Sequence, residues 1–130
     1  MAAVQPIPKE REMTAVTTAV DGYIAMWNET DPARRRFIIE QTWTDDGSYV
    51  DPHAEVAGVD GLDALVAAVQ EQFPGHRFVL AGDPDAHHDR VRFTWQLVGE
   101  SGEPIATGMD VGVVADDGRL RAVTGFLEAA

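Results

Sequence analysis

The chain has 130 residues, the usual size of one domain and long enough to bury a core without disulfides. It carries 22 Asp and Glu against 10 Lys and Arg, a formal charge of −12, and such a field argues against nucleic acid or an anionic membrane surface as partner. It contains no cysteine, which excludes disulfides, thiolate nucleophiles, Cys-ligated zinc and iron–sulfur clusters. No apolar run approaches the ~20 residues that span a bilayer. Met1 to Arg11 has no apolar h-region of a signal peptide, so a cytoplasmic location is expected.

Residues 1–12, with Pro6, Pro8 and a mixed charge cluster, read as a flexible leader before a single domain over 13–130. A first helix starts near Thr14. Val16, Ala19, Val20, Tyr23, Ile24 and Trp27 form one continuous helical face. Asp31 caps a second helix, with Pro32 in its first turn. That helix is expected to turn Ala33, Phe37, Ile38 and Trp43 inward and Arg34, Arg35 and Arg36 largely outward. Asp45-Asp46-Gly47 reads as a turn.

A short strand, Ser48 to Asp51, stops at Pro52. A third helix opens at Asp60-Gly61 and closes at Pro74-Gly75. From Arg77 onward the period becomes two. Strands are expected over Arg77 to Ala81, around Val91 to Leu97, over Ile105 to Val114 and over Leu120 to Leu127. Asp116-Asp117-Gly118 reads as a hairpin turn. Helices set apart from a run of strands indicate α+β, with a curved sheet wrapped over the helices.

Three residues stand out as ionisable groups among apolar neighbours. Asp110 lies mid-strand, where Asp is depleted, and shares a face with the small residues Ala106, Gly108 and Gly112. That pattern suits a carboxylate facing a cavity, a buried hydrogen-bonded Asp, or a solvent-facing one. Tyr23 lies on the apolar stripe of the first helix, where a core tyrosine with a bonded hydroxyl is the plainer reading. Asp51 precedes Pro52 and projects to the same face as Tyr49. A strand-end Asx turn would also explain it.

His53 could share that face. His87-His88 reads as a surface loop, and neither it nor any HExxH spacing supports a metal site. Motifs for triad hydrolysis, nucleotide hydrolysis and dinucleotide redox chemistry are absent.

Over residues 14–127 the chain resembles the NTF2-like superfamily, in particular its SnoaL-like and ketosteroid-isomerase-like members. The resemblance rests on Tyr23-Ile-Ala-Met-Trp-Asn28, on Trp43-Thr-Asp-Asp-Gly-Ser-Tyr-Val-Asp-Pro52, on Gly58-Val-Asp-Gly61, and on Gly108 to Gly118 with Thr124-Gly-Phe126. It implies a cone of three N-terminal helices packed in a strongly curved mixed sheet that encloses a pocket.

In ketosteroid isomerases a helix-one tyrosine, an aspartate before proline and a mid-strand aspartate form the active site. Those motif positions fall on Tyr23, Asp51 and Asp110. The resemblance implies proton transfer next to a carbonyl, without cofactor or metal. Asp51 would take the proton, and Tyr23 with a protonated Asp110 would donate to the enolate oxygen. In polyketide-cyclase members one strand aspartate acts as acid and base, again Asp110 here.

The expected ligand is a small hydrophobic molecule held by Trp27, Tyr49, His53, Val56, Val66, Phe73, Phe78, Trp95 and Phe126. A homodimer through the open sheet face, with Thr94, Gln96 and Arg121, is the family expectation. A non-catalytic ligand-binding or dimerisation domain is the alternative. A cofactor-free epoxide hydrolase, with an arginine such as Arg90 or Arg92 between pocket carboxylates, is another.

Overall fold

The computed structural model describes residues 10–128, apart from the side chains of 10–12. The elements run α1 (Glu10–Asn28), α2 (Pro32–Thr42), β1 (Trp43–Val50), β2 (Glu55–Ala57), α3 (Gly58–Gln72), β3 (Arg77–Leu80), β4 (Asp85–His87), β5 (Arg90–Val98), β6 (Pro104–Val114) and β7 (Leu120–Leu127). This is the α+β order read from the sequence: three helices against one mixed sheet. The leader expected over 1–12 lies outside the described residues as far as residue 9. The first helix begins at Glu10, a turn ahead of the Thr14 start.

The sheet has seven strands in the order β2-β1-β7-β6-β5-β3, and β4 pairs with β5. The β1–β7 pair is parallel and the other pairs are antiparallel. β3 and β4 occupy successive lengths of the same edge of β5. Three register irregularities, in β1, β5–β6 and β6–β7, bend the ladder. The core gathers Val16, Val20, Tyr23, Met26 and Trp27 of α1 with Ile39, Trp43, Leu62, Val66, Phe93 and Val123. Each such large apolar side chain contributes about 1.5–3 kcal/mol by leaving water.

The structure corrects several local readings. Asp45-Asp46-Gly47 is no turn between elements. It lies inside β1 as an irregularity, where Trp43 pairs with Leu120 but Ser48 already pairs with Ala122. Trp43 therefore begins a strand instead of ending a helix. The inward face of α2 is Arg35, Ile39 and Thr42, and Phe37 is exposed.

Arg35 is tolerated inside because its donors are bonded. Its Nε donates to Asp63 Oδ1 at 2.6 Å, and its Nη1 donates to Gln70 Oε1 at 3.1 Å and the Glu29 carbonyl at 3.2 Å. Gln70 Nε2 donates in turn to the Trp27 and Glu29 carbonyls at 3.0 and 2.8 Å. This cluster fastens the end of α1 to α2 and α3. Asn28 fastens it to β3, exchanging two hydrogen bonds with the Phe78 backbone at 2.7 and 2.8 Å. Trp27 is thereby fixed through its own carbonyl and through the two anchored residues that follow it. The Asp31 cap forms as expected, accepting from the Arg34 N–H at 2.9 Å. His87-His88 lies at a two-residue turn, with His87 paired to Arg90 and His88 at φ 52°.

Candidate active site

Between the helices and the inner sheet face lies a cavity of about 480 Å³. That size suits a small organic ligand. α1 supplies Tyr23, Ile24 and Trp27. α3 and the residue after it supply Leu65, Ala68, Val69, Gln72 and Phe73. Phe78, Trp95, Leu97, Ala106 and Leu127 come from the sheet. The aromatic rings interlock: Trp27 meets Tyr49 edge-on at 5.8 Å and Phe78 at 5.3 Å, and Phe78 meets Trp95 at 5.2 Å.

Asp110 enters this cavity because strand alternation turns Gly108, Asp110 and Gly112 inward. It is 2% exposed. The Tyr23 hydroxyl donates to its Oδ2 at 2.6 Å and Trp95 Nε1 donates to its Oδ1 at 3.1 Å. Trp95 can lie this way because Gly108 is its cross-strand partner. A Cβ there would sit 2.2 Å from the indole ring. Burial raises the Asp110 carboxyl above the ordinary range, the two hydrogen bonds pull it back, and the charge of Asp51 raises it again. Tyr23, enclosed beside Asp110, is raised well above a free phenol, first by burial and then by that carboxylate.

Asp51 sits on the same cavity wall by a different device. Its Oδ1 accepts the backbone N–H groups of His53 and Ala54 at 2.7 and 2.8 Å, an Asx turn that the following proline favours. Its Oδ2 accepts the Tyr49 hydroxyl at 2.6 Å. The Tyr49 phenol is raised by burial and then by this bond. Gly125 of β7 faces all three groups. A Cβ at Gly125 would lie 2.9 Å from Asp110 Oδ1 and 3.3 Å from both Tyr49 Oη and Asp51 Cβ.

The structure thus brings Tyr23, Asp51 and Asp110 to one cavity, with Trp27, Tyr49, His53, Phe73, Phe78 and Trp95 around it. Three expected wall residues lie elsewhere. Val66 is fully buried in the core between α3 and the sheet. Val56 packs against Gly61 at the start of α3. Phe126 pairs with Met109 on the outer face and is 53% exposed, because the irregularity near Leu120 sets Val123, Gly125 and Leu127 inward. Arg92 is exposed beside Asp85, and Arg90 pairs with Asp89, so neither reaches the cavity.

The sequence reading missed the indole donor of Trp95 and several wall residues, among them Leu65, Val69, Leu97 and Leu127. The Gly108–Trp95 register would have revealed the first. Among the described residues no cluster of His, Asp and Glu suits a metal ion, and no helix is long and apolar enough to cross a membrane.

Three helices on a mixed sheet, with acids inside an aromatic cavity between them, define an NTF2-like α+β domain. No protein-family model and no curated protein matches the sequence, but solved structures do. A protein of Agrobacterium tumefaciens str. C58, provisionally named an isomerase of the SnoaL-like family, is 42% identical. That match covers 90% of this chain and 100% of that one, with a TM-score of 0.85. The chain belongs to the SnoaL-like family.

Two further structures share the fold. One, from Bacillus cereus ATCC 10987 and provisionally named a polyketide cyclase, is 19% identical over 97% of this chain and 83% of that one, with a TM-score of 0.75. The other is a SnoaL-like protein of unknown function from Burkholderia thailandensis E264. It is 16% identical over 95% of this chain and 100% of that one, with a TM-score of 0.69.

Proposed function

We propose that this chain is an acid/base enzyme that moves a proton next to the carbonyl of a small hydrophobic molecule, as an isomerase or cyclase. One observation carries the reading: two carboxylates, each bonded to a tyrosine hydroxyl at 2.6 Å, meet in a mostly apolar cavity. The name given to the Agrobacterium relative supports an isomerase, and that given to the Bacillus structure supports a cyclase.

Asp51 is the proton acceptor, held in place by its Asx turn. Burial favours the neutral form of Asp110, which then donates to the developing enolate oxygen. When Asp110 holds its own proton, the Tyr23 hydroxyl is released to donate as a second partner. The wall residues carry no Lys or Arg, so the ligand is uncharged at its reacting end. The epoxide reading loses its support, since it needs an arginine between the carboxylates. The expected homodimer through the outer sheet face, where Phe126 is exposed, belongs to the same proposal.

The test is conversion of a β,γ-unsaturated cyclic ketone to its conjugated isomer, followed by ultraviolet absorbance. The expected outcome is turnover that Asp51→Asn abolishes. Absence of isomerisation, and of deuterium exchange next to the carbonyl, would leave a ligand-binding domain in its place.

A further inference from the structure

An Asx turn needs only one oxygen of its carboxylate, and at Asp51 that oxygen is Oδ1. The turn leaves unexplained the bond at the other oxygen, where the Tyr49 hydroxyl donates to Oδ2 at 2.6 Å. We propose that Tyr49 is a positioning residue for the proton acceptor: it fixes the plane of the Asp51 carboxylate and leaves one acceptor position, on Oδ2, for the ligand's proton. The inference rests on the carbonyl reading for the origin of that proton.

A carboxylate offers about four acceptor positions, two on each oxygen. The N–H groups of His53 and Ala54, at 2.7 and 2.8 Å, fill both on Oδ1. Tyr49 fills one on Oδ2, and among the described residues no other group bonds the carboxylate. The remaining position belongs to Oδ2, on an acid that lines the cavity. The other titratable groups lining that cavity are Tyr23, Tyr49, His53 and Asp110, and α3, β3, β5 and β7 contribute uncharged residues.

Tyr49 can hold Asp51 because it is itself the better-held residue. It lies inside β1, paired with Val56 on one side and Val123 on the other, while Asp51 follows the end of the strand. It is 5% exposed, and its ring meets Trp27 edge-on at 5.8 Å. A Cβ at Gly125 would lie 3.3 Å from its hydroxyl, so the β7 backbone stands close beside it. Pinned at Oδ1 alone, the Asp51 carboxylate could pivot about that atom. Pinned at both oxygens it cannot, and a base must be aligned with the C–H bond it breaks.

The free position defines the step. Ionised Asp51 takes the proton next to the carbonyl at Oδ2, the C–H pair becomes a new C=C bond, and the carbonyl π pair moves onto oxygen, to which protonated Asp110 donates. The proton then returns from Oδ2 to the γ-carbon, and the oxygen pair re-forms the carbonyl. The remaining double bond stands in conjugation with it, and Asp51 is ionised again. A hydrogen bond given to a carboxylate favours its charged form, so the Tyr49 hydroxyl assists the return.

The test compares Tyr49→Phe with the wild type, as the full chain, by two measurements. Without substrate, the pH step of the Asp51 carboxyl carbon in NMR should move to higher pH by about one unit, since one donor to the charged form is gone. With the β,γ-unsaturated cyclic ketone, kcat should fall about 10–10²-fold while KM stays nearly the same. A residue that only fills space would move neither. 3-Fluorotyrosine at position 49 alone, a stronger acid of nearly the same size, should move the carbon step to lower pH, and it suffices if Tyr49→Phe fails to fold.

A carbon step that stays in place in both variants, an unchanged kcat, or a rate loss carried wholly by KM would overturn the proposal. Absence of turnover in the wild type would sink the carbonyl reading alone, because the carbon step still reports whether Tyr49 governs Asp51.

Discussion

Asp110 and Asp51 are the same residue held in two unlike ways. Asp110 is fixed by side chains from other elements, Tyr23 of α1 and Trp95 of β5, and burial is the largest influence on its proton. Asp51 is fixed by its own loop, through the N–H groups of His53 and Ala54, and meets one side chain, Tyr49. The first arrangement depends on the whole fold and sets protonation. The second is local and sets position. The two acids therefore reach one cavity by independent routes, one through the tertiary fold and one through a local turn.

The largest expected effect comes from removing the acceptor. Asp51→Asn keeps the shape and an oxygen for the Asx turn but loses the charge. Initial rates on the ketone should fall about 10²–10⁴-fold, the usual scale for a general base. Asp110→Asn keeps an N–H donor, so its loss of rate should be smaller.

Its stability should respond instead. A carboxyl raised in the folded state favours folding fully below its unfolded value, about 3.9, and loses that contribution as pH rises through the folded value. Asp110→Asn removes this loss. Its urea midpoint should change less than the wild type's between about pH 4 and about pH 7. An equal change in both proteins would contradict the assignment.

Next in size is Gly125→Ala, which fills the space that separates the two acids. The methyl would approach Asp110 Oδ1 to 2.9 Å. Overpacking of this kind costs about 1–3 kcal/mol, readable in the urea midpoint. The rate should fall further than stability alone explains, because the methyl also occupies the place of the ligand. Equal rates in variant and wild type would show that the reacting atoms lie elsewhere.

The same contrast governs what was legible in the sequence. Asp51 and its turn could be read locally, from Asp before Pro and from its two-residue spacing to Tyr49. The α+β order followed from periodicity, which also grouped Ala106, Gly108, Asp110 and Gly112 on one face of β6 but left open which face is inward. The inward side of β7 did not follow. One irregularity near Leu120 reverses the alternation, and Phe126, expected in the cavity, lies outside. Arg35 was misplaced for a similar reason. Three adjacent arginines look solvated, and only the tertiary fold supplies the Asp63, Gln70 and Glu29 acceptors that let the middle one enter. The donor to Asp110 from Trp95 was hidden because it depends on strand register, which places the indole over Gly108.

The smallest effect tests that indole. Trp95→Phe keeps an aromatic ring over Gly108 and removes one N–H donor from Asp110. The lost hydrogen bond should cost about 0.5–1.5 kcal/mol in the urea midpoint. Its second consequence has a definite sign. The indole N–H lowers the Asp110 carboxyl against the upward push of burial, so its removal leaves burial less opposed. The proton is then held to higher pH. If protonated Asp110 is the donor to the enolate oxygen, the alkaline fall in rate should move to higher pH in Trp95→Phe, while the level below that fall drops for want of the correct ring shape. An acid-side rise that moves to higher pH, with the alkaline fall unmoved, would mean that Asp110 works as the ionised base and that the roles of the two acids are exchanged.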